Sequence, residues 1–261
     1  MSILRKMLPL VRVRNLVLRT LLPQSFYFRQ VGYCPCCEQP TVFFSLDPWL
    51  RDNFKCAVCR SLPRQRALTR ILGEMYPNWR SLIIHESSPT LDGISERFRK
   101  ECAQYSASQY YPDASPGKLL GQFRNENLES LTLPDESVDI FITQDVLEHV
   151  YSPASAFREI GRVLRPGGAH IFTVPLVNKH RPSQVWATLN DDGSPNFLAE
   201  PDFHVNPVDP RGSPVTMHWG FDIIHAIRQA SSLETTIEHI DDLSQGIRAE
   251  YIEVLVTRRP G

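Results

Sequence analysis

Residues 134–175, PDESVDIFITQDVLEHVYSPASAFREIGRVLRPGGAHIFTVP, constrain this chain more than any other stretch. They read as strand, loop, helix, turn, strand. Val138 to Thr143 is an apolar run of strand length, entered through the Pro134-Asp135 turn. Ser152 is placed to cap a helix that opens on Pro153, because proline fits the first helical position. Ala156, Phe157, Ile160, Val163 and Leu164 recur with helical spacing and form one apolar face. Pro166-Gly167-Gly168 is expected to stop that helix, and Ala169–Val174 to form the next strand. Two strands joined by a helix in this length make a right-handed crossover between parallel strands.

The 261 residues allow one large domain and a small module. A hydrophobic content of 42% is ample for a core, and no apolar run reaches membrane-spanning length. The net charge of −1 hides an asymmetry. Residues 1–80 hold 13 Lys or Arg against 4 Asp or Glu, and residues 81–261 hold 15 against 25. A basic front on an acidic body suggests an anionic partner for the front.

The segment 1–33 carries Arg5, Lys6, Arg12, Arg14, Arg19 and Arg29 and no acid. Three readings stand open: an amphipathic helix on an anionic membrane surface, a transit peptide, or a helix packed on the body. Charged residues interrupt every apolar run before it reaches the length a secretory signal needs, so a soluble, reduced, cytoplasmic chain is expected. Next come Cys34-Pro35-Cys36-Cys37 and, 18 residues later, Cys56-Ala57-Val58-Cys59. Two C-x-x-C knuckles at this spacing are a tetrahedral zinc signature, with Cys34, Cys37, Cys56 and Cys59 as ligands and Cys36 to spare. With no open coordination position the ion would be structural. The zinc-ribbon-like module and its following helix occupy 34–79. Leu68, Ile71, Leu72 and Met75 share one face of that helix, while Arg60, Arg64, Arg66 and Arg70 offer either a phosphate-binding or a solvated face.

LPDESVDIF, QDVLEHV and EIGRVLRPGG together resemble the central signature of class I S-adenosylmethionine (SAM) dependent methyltransferases. A group of bacterial methyltransferase-like proteins with a cysteine module in front is also similar. The resemblance covers residues 80–257. It implies an α/β, Rossmann-like sheet of seven strands in the order 3-2-1-4-5-7-6, here occupying 80–261. On that pattern Leu82–His85 is the first strand, Ala103–Tyr110 the second, Trp219–Ala230 the last helix, and Leu233–Ile240 with Tyr251–Thr257 the closing pair.

The resemblance also implies a cofactor site. Glu86, Ser87 and Ser88 stand where the family has its glycine-rich loop, and no glycine precedes Gly93. A loop without glycine takes positive φ only at a cost. Gln109 stands where a carboxylate usually accepts the ribose hydroxyls. Glu126 and Asn127 stand where adenine is read, and Gln144 and Asp145 follow the fourth strand at the ligand-binding edge. His149 lies beside the cofactor and is a candidate base. Residues 176–218 are an insert rich in Pro, Asn, Asp and Gly, with aromatic residues that argue for order; they read as a substrate cover. His204 within it is a second catalytic candidate. His180, His204 and His218 are too far apart in sequence for spacing to define a metal site.

Methyl transfer to a small metabolite or sugar is the leading expectation. One alternative is an RNA methyltransferase docking through the zinc module and basic front. The other is a methyltransferase-like scaffold without chemistry, suggested by the missing glycines and ribose acid.

Overall fold

The computed structural model describes residues 26–206 and 209–261. Arg5, Lys6, Arg12, Arg14 and Arg19 lie outside the described residues, and so do the readings that rest on them.

The front is a three-stranded antiparallel sheet of β1 (Phe28–Cys34), β2 (Gln39–Ser45) and β3 (Lys55–Cys56). The short helix α1 (Leu50–Asn53) links β2 to β3. Helix α2 (Pro63–Met75) follows, with proline in its first turn and the Gln65 side chain accepting from the Leu62 amide at 2.9 Å. Leu68, Ile71 and Leu72 are buried on one face as the spacing predicts, joined by Ala67, while Met75 is only partly buried. The arginines of this helix do not form a docking face. Arg66 is fully buried, donating to the carbonyls of Phe54 (2.8 Å) and Gly246 (3.0 and 2.7 Å), with its guanidinium over the Phe43 ring. Arg64 pairs with Asp52 and Asp145, and Arg70 with Glu74 and Asp242. These cations lie close to acids and carbonyls of the body, which satisfy them more fully than water contact alone would.

The large sheet adds β4 (Ile84–Ser87), β5 (Tyr105–Gln109), β6 (Leu119–Leu120), β7 (Phe123–Asn125), β8 (Val138–Gln144), β9 (Leu164–Thr173), β16 (Glu234–Glu238) and β17 (Val254–Arg258). Its order is β16-β17-β9-β8-β4-β5-β7-β6. Strands β7, β5, β4, β8 and β9 are parallel, and β17 runs antiparallel between β9 and β16. Without β6 this is the expected 3-2-1-4-5-7-6. β6 is an eighth strand, antiparallel to β7 at the edge.

Several boundaries differ from the sequence reading. β4 begins at Ile84, so Glu86 and Ser87 are strand residues rather than loop, because their ladders with β5 and β8 continue through Ser87. β5 is shorter than Ala103–Tyr110. Helix α3 (Gly93–Glu101) joins the two. Helix α4 (Pro153–Val163) starts as expected, but Ser152 caps it with its carbonyl, which takes the amides of Ser155 and Ala156; its hydroxyl bonds Ser155 Oγ instead. α4 ends before Pro166. Leu164 already pairs with Val138, and the register then jumps to Ile140–Ala169. Pro166-Gly167-Gly168 therefore makes a bulge inside β9, not a helix stop. A side chain at Gly168 would meet the Asp139 carbonyl at 2.7 Å, so only glycine fits there. The last helix is α5 (Ile223–Ser231), and Trp219 precedes it, with its indole donating to the Leu147 carbonyl at 3.1 Å.

The insert forms three small two-stranded pairs: β10 (Gln184–Val185) with β15 (Met217–His218), β11 (Ala187–Leu189) with β12 (Pro195–Phe197), and β13 (Phe203–His204) with β14 (Ser213–Pro214). The Thr216 amide bonds the Glu148 carbonyl at 2.7 Å and ties the insert to the end of β8. Phe141, Phe157, Ile160, Phe172 and Trp219 form one core on the α4–α5 side. On the other side Phe43, Phe54, Leu68 and Phe98 pack against Ile140, Ile171 and Val254, so the front shares the sheet's core. No helix among the described residues is long and apolar enough to cross a membrane.

Candidate active site

The parallel strands β4 and β8 are neighbours whose connections leave in opposite directions, and their carboxyl ends open a crevice. Each ends on a left-handed residue that is not glycine, Ser88 at φ 55° and Asp145 at φ 54°. The glycine-poor loop thus takes the turn that glycine makes easily. The Ser88 amide is held by the Ser108 carbonyl at 2.8 Å. Such backbone strain costs about 1–3 kcal/mol per residue and persists where the surroundings over-determine it.

Asp145 is over-determined. Arg51 Nη2 and Arg64 Nε both lie 2.8 Å from its Oδ2, and Thr173 Oγ1 donates to Oδ1 at 3.0 Å. Burial pushes this carboxyl up, and Arg64 and Arg51 more than offset it, leaving it below the usual carboxylate range. The front therefore closes over the sheet's carboxyl edge through two arginines that sequence reading did not assign to the site.

Glu86 and Gln144 meet across β4 and β8. Gln144 Nε2 donates to Glu86 Oε1 at 2.6 Å, Ser95 Oγ donates to the same oxygen at 2.7 Å, and Tyr105 donates to Oε2 at 2.8 Å. Burial raises the Glu86 pKa. Gln144 Oε1 is buried without a partner among the described residues, an acceptor left over at the crevice. Ser87 is buried in the ladder. Gln109 ends β5, and its carbonyl accepts the Glu126 amide at 3.0 Å. The Glu126 carboxylate is bound by the Arg124 guanidinium and by the Thr132 hydroxyl and amide. Asn127 Oδ1 accepts the Glu129 amide at 2.9 Å. A separate cleft of about 370 Å³ lies behind this edge, lined by Thr90, Ser95, Tyr105, Ala107 and Arg124 among others.

Beyond Asp145 the structure joins His149 to His204, which are 55 residues apart, with His204 Nδ1 3.2 Å from His149 Nε2 and the rings edge to face. His149 Nδ1 is 2.8 Å from the Pro214 carbonyl, which fixes the ring's proton on Nδ1 and leaves Nε2 as a lone pair. Glu148 stands behind both rings, its Oε1 3.8 Å from His149 Nε2 and 3.7 Å from His204 Nδ1. Its side chain is 2% exposed, and neither oxygen has a hydrogen-bond partner among the described residues. Burial, with the charge of Asp145, pushes it up to about 8. Burial lowers the His149 pKa. Sequence reading passed over Glu148. The signal was there: an acid in the Asp-x-x-Glu-His run directly after an apolar strand.

In the front, Cys34 Sγ lies 3.7 Å from Cys59 Sγ and Cys37 Sγ 3.9 Å from Cys56 Sγ, with all four within 4.8 Å of one another. Sulfurs about 2.3 Å from a central zinc are about 3.8 Å apart, so the set has the spacing of a tetrahedral ion. Cys36 Sγ lies 3.1 Å from Thr69 Oγ1 and is not among the four sulfurs of that cluster.

A family model described as a methyltransferase domain matches residues 94–172, from α3 to β9. A Mycolicibacterium smegmatis protein named as a probable S-adenosylmethionine-dependent methyltransferase is 44% identical over 52 residues, 20% of each chain. The chain thus matches about a fifth of that relative's length. An S-adenosylmethionine-dependent methyltransferase from Mesorhizobium loti is 17% identical, with a TM-score of 0.47, over 74% of this chain and 98% of that one. The Burkholderia thailandensis 1,6-didemethyltoxoflavin-N1-methyltransferase, solved with 1,6-didemethyltoxoflavin and S-adenosylhomocysteine, is 11% identical over 76% of this chain and 79% of its own, with a TM-score of 0.45. A methyltransferase-domain model thus matches the chain from α3 to β9, and the sheet around that match has the strand order and directions of a Rossmann-like methyltransferase fold.

Proposed function

We propose that this chain transfers a methyl group from SAM to a small acceptor, a sugar or another metabolite, bound under the 176–218 insert. The observation that carries this reading is the crevice at β4 and β8. There, two strained turns and the unfilled acceptor Gln144 Oε1 face a cofactor that brings an ammonium group to donate. The amino-acid end of the cofactor belongs at Ser87, Ser88 and Gln144, the ribose at Gln109 and the adenine at Asn127. Glu86 and Glu126 hold the walls, since protein donors already occupy their oxygens. When bound, the cofactor supplies a methyl on a sulfonium, already activated, so positioning is most of what the protein must add. His149 and His204 are the catalytic candidates, placed to act on the acceptor's hydroxyl.

Arg64, Arg66 and Arg70 bond inward, which favours a small acceptor over RNA. In the same reading Cys34, Cys37, Cys56 and Cys59 hold a structural zinc that fixes the front on the sheet.

Calorimetric titration of zinc-replete protein with S-adenosylhomocysteine tests the reading. Micromolar binding that weakens about tenfold or more in Gln109→Ala and Gln144→Ala is expected. No binding at about millimolar ligand to folded protein would overturn it in favour of a scaffold.

A further inference from the structure

We propose that Glu148, His149 and His204 form a second metal centre, an open site for a divalent cation such as Mn²⁺ or Zn²⁺. Three observations converge on it. The Glu148 carboxylate is buried with both oxygens unpartnered among the described residues, a costly arrangement that a cation relieves. The Pro214 carbonyl engages His149 Nδ1–H, the outer-shell bond that orients ligating histidines, and leaves Nε2 a lone pair that accepts from His204 Nδ1 and turns to a cation once His204 carries its proton on Nε2. The three ligand atoms form a triangle with sides of 3.2, 3.7 and 3.8 Å. The centre of such a triangle lies about 2.1 Å from each corner, the bond length of zinc or manganese to nitrogen and oxygen.

This site differs in kind from the cysteine cluster. Its donors are two imidazoles and a carboxylate, which suit borderline and hard cations rather than soft ones. Three protein ligands leave coordination positions open, the pattern of reacting rather than structural sites. Glu148 and His149 come from the loop after β8, whereas His204 comes from β13 in the insert and is 43% exposed on its side chain. The open side is therefore the side on which an acceptor enters.

The role assigned to the cation rests on the methyl-transfer reading. An acceptor hydroxyl bound to it loses its proton to water more easily. The acceptor oxygen then forms its bond to the methyl carbon as the sulfur–methyl bond breaks, and that electron pair returns to sulfur, leaving a neutral thioether. The class of acceptor is thus one with a hydroxyl able to reach a metal ion.

The test is Mn²⁺ titration of protein holding one Zn²⁺ per chain, so that the second centre starts free of zinc, followed by the loss of the free-ion electron paramagnetic resonance signal. Mn²⁺ lies below Zn²⁺ in affinity and does not compete for thiolates. One Mn²⁺ per chain is expected, with affinity falling about tenfold or more in both Glu148→Gln and His204→Ala while zinc content stays the same. His204 is half-exposed, so its variant keeps the question answerable if Glu148→Gln does not fold. No Mn²⁺ binding up to about 1 mM, or binding that neither variant weakens, would overturn the site. Calorimetry with S-adenosylhomocysteine on the same sample separates the two ideas. Cofactor binding without Mn²⁺ removes the metal centre alone, and Mn²⁺ binding without cofactor removes the methyl-transfer reading and leaves the site.

Discussion

The cysteine cluster of the front and the Glu148–His149–His204 cluster of the sheet edge are both candidate metal centres, and they are built in opposite ways. Four sulfurs come from two tight knuckles, each supplying a pair three residues apart, on a sheet whose core is shared with the body. Two nitrogens and an oxygen come from a loop and a distant hairpin, and one of the rings is half-exposed. The first arrangement would enclose an ion and weld structure. The second holds donors around an open position. The difference teaches that local spacing announces a structural ion, whereas a site open to substrate has to be assembled from distant pieces of chain.

The largest expected effect breaks the first centre. Cys56→Ser removes one of four ligands, and zinc-linked folding of such modules is worth about 10 kcal/mol, so the variant should lose its zinc and the front its structure. Atomic absorption and proteolysis of the front read this; a stable, zinc-free front would show that the cysteines serve otherwise. Arg66→Ala comes next. It strands the carbonyls of Phe54 and Gly246 beside the cluster and should cost about 3–5 kcal/mol in urea unfolding. A loss below about 1 kcal/mol would mean that the Arg66 bonds add little to what holds the front on the body.

Glu148→Gln sharpens the second centre. It should leave the zinc in place and weaken Mn²⁺ about tenfold, so the two sites respond independently. Non-ligating histidines give a contrast. Burial lowers His85 to about 4 and His170 to about 3. Both stay neutral in the folded chain while the unfolded chain takes up protons near pH 6.5. Their contribution is complete above that pH and is lost as pH falls toward 4, at about 1.4 kcal/mol per pH unit for each. Urea midpoints across this window should show it, and His170→Gln should flatten the slope by one proton. An unchanged slope would place the proton uptake elsewhere. The smallest effect concerns the strained turn. Ser88→Gly should relieve its left-handed angle and change stability by about 1 kcal/mol or less, with cofactor affinity kept. A large loss of affinity would show that the Ser88 side chain, not its backbone, is what the site uses.

Periodicity and turn chemistry are local properties, so the sequence carried the strand–helix–strand unit at 138–173, the apolar face of α2 and the four zinc-type cysteines. The signature around Asp145 to Gly168 carried the strand order, including the reversed β17. It misplaced what depends on pairing. Glu86 and Ser87 became strand residues because β5 and β8 extend past them, and Pro166-Gly167-Gly168 became a bulge because Leu164 pairs before the turn. It also misread what depends on through-space charge. Arg64, Arg66 and Arg70 look like a basic face along a helix, and only folding shows that Asp145, Gly246 and Asp242 wait for them. His149 and His204 were each legible as candidates. That they share a buried carboxylate was decided by the insert returning to β8 through Thr216, a contact between backbone groups that no side-chain pattern encodes.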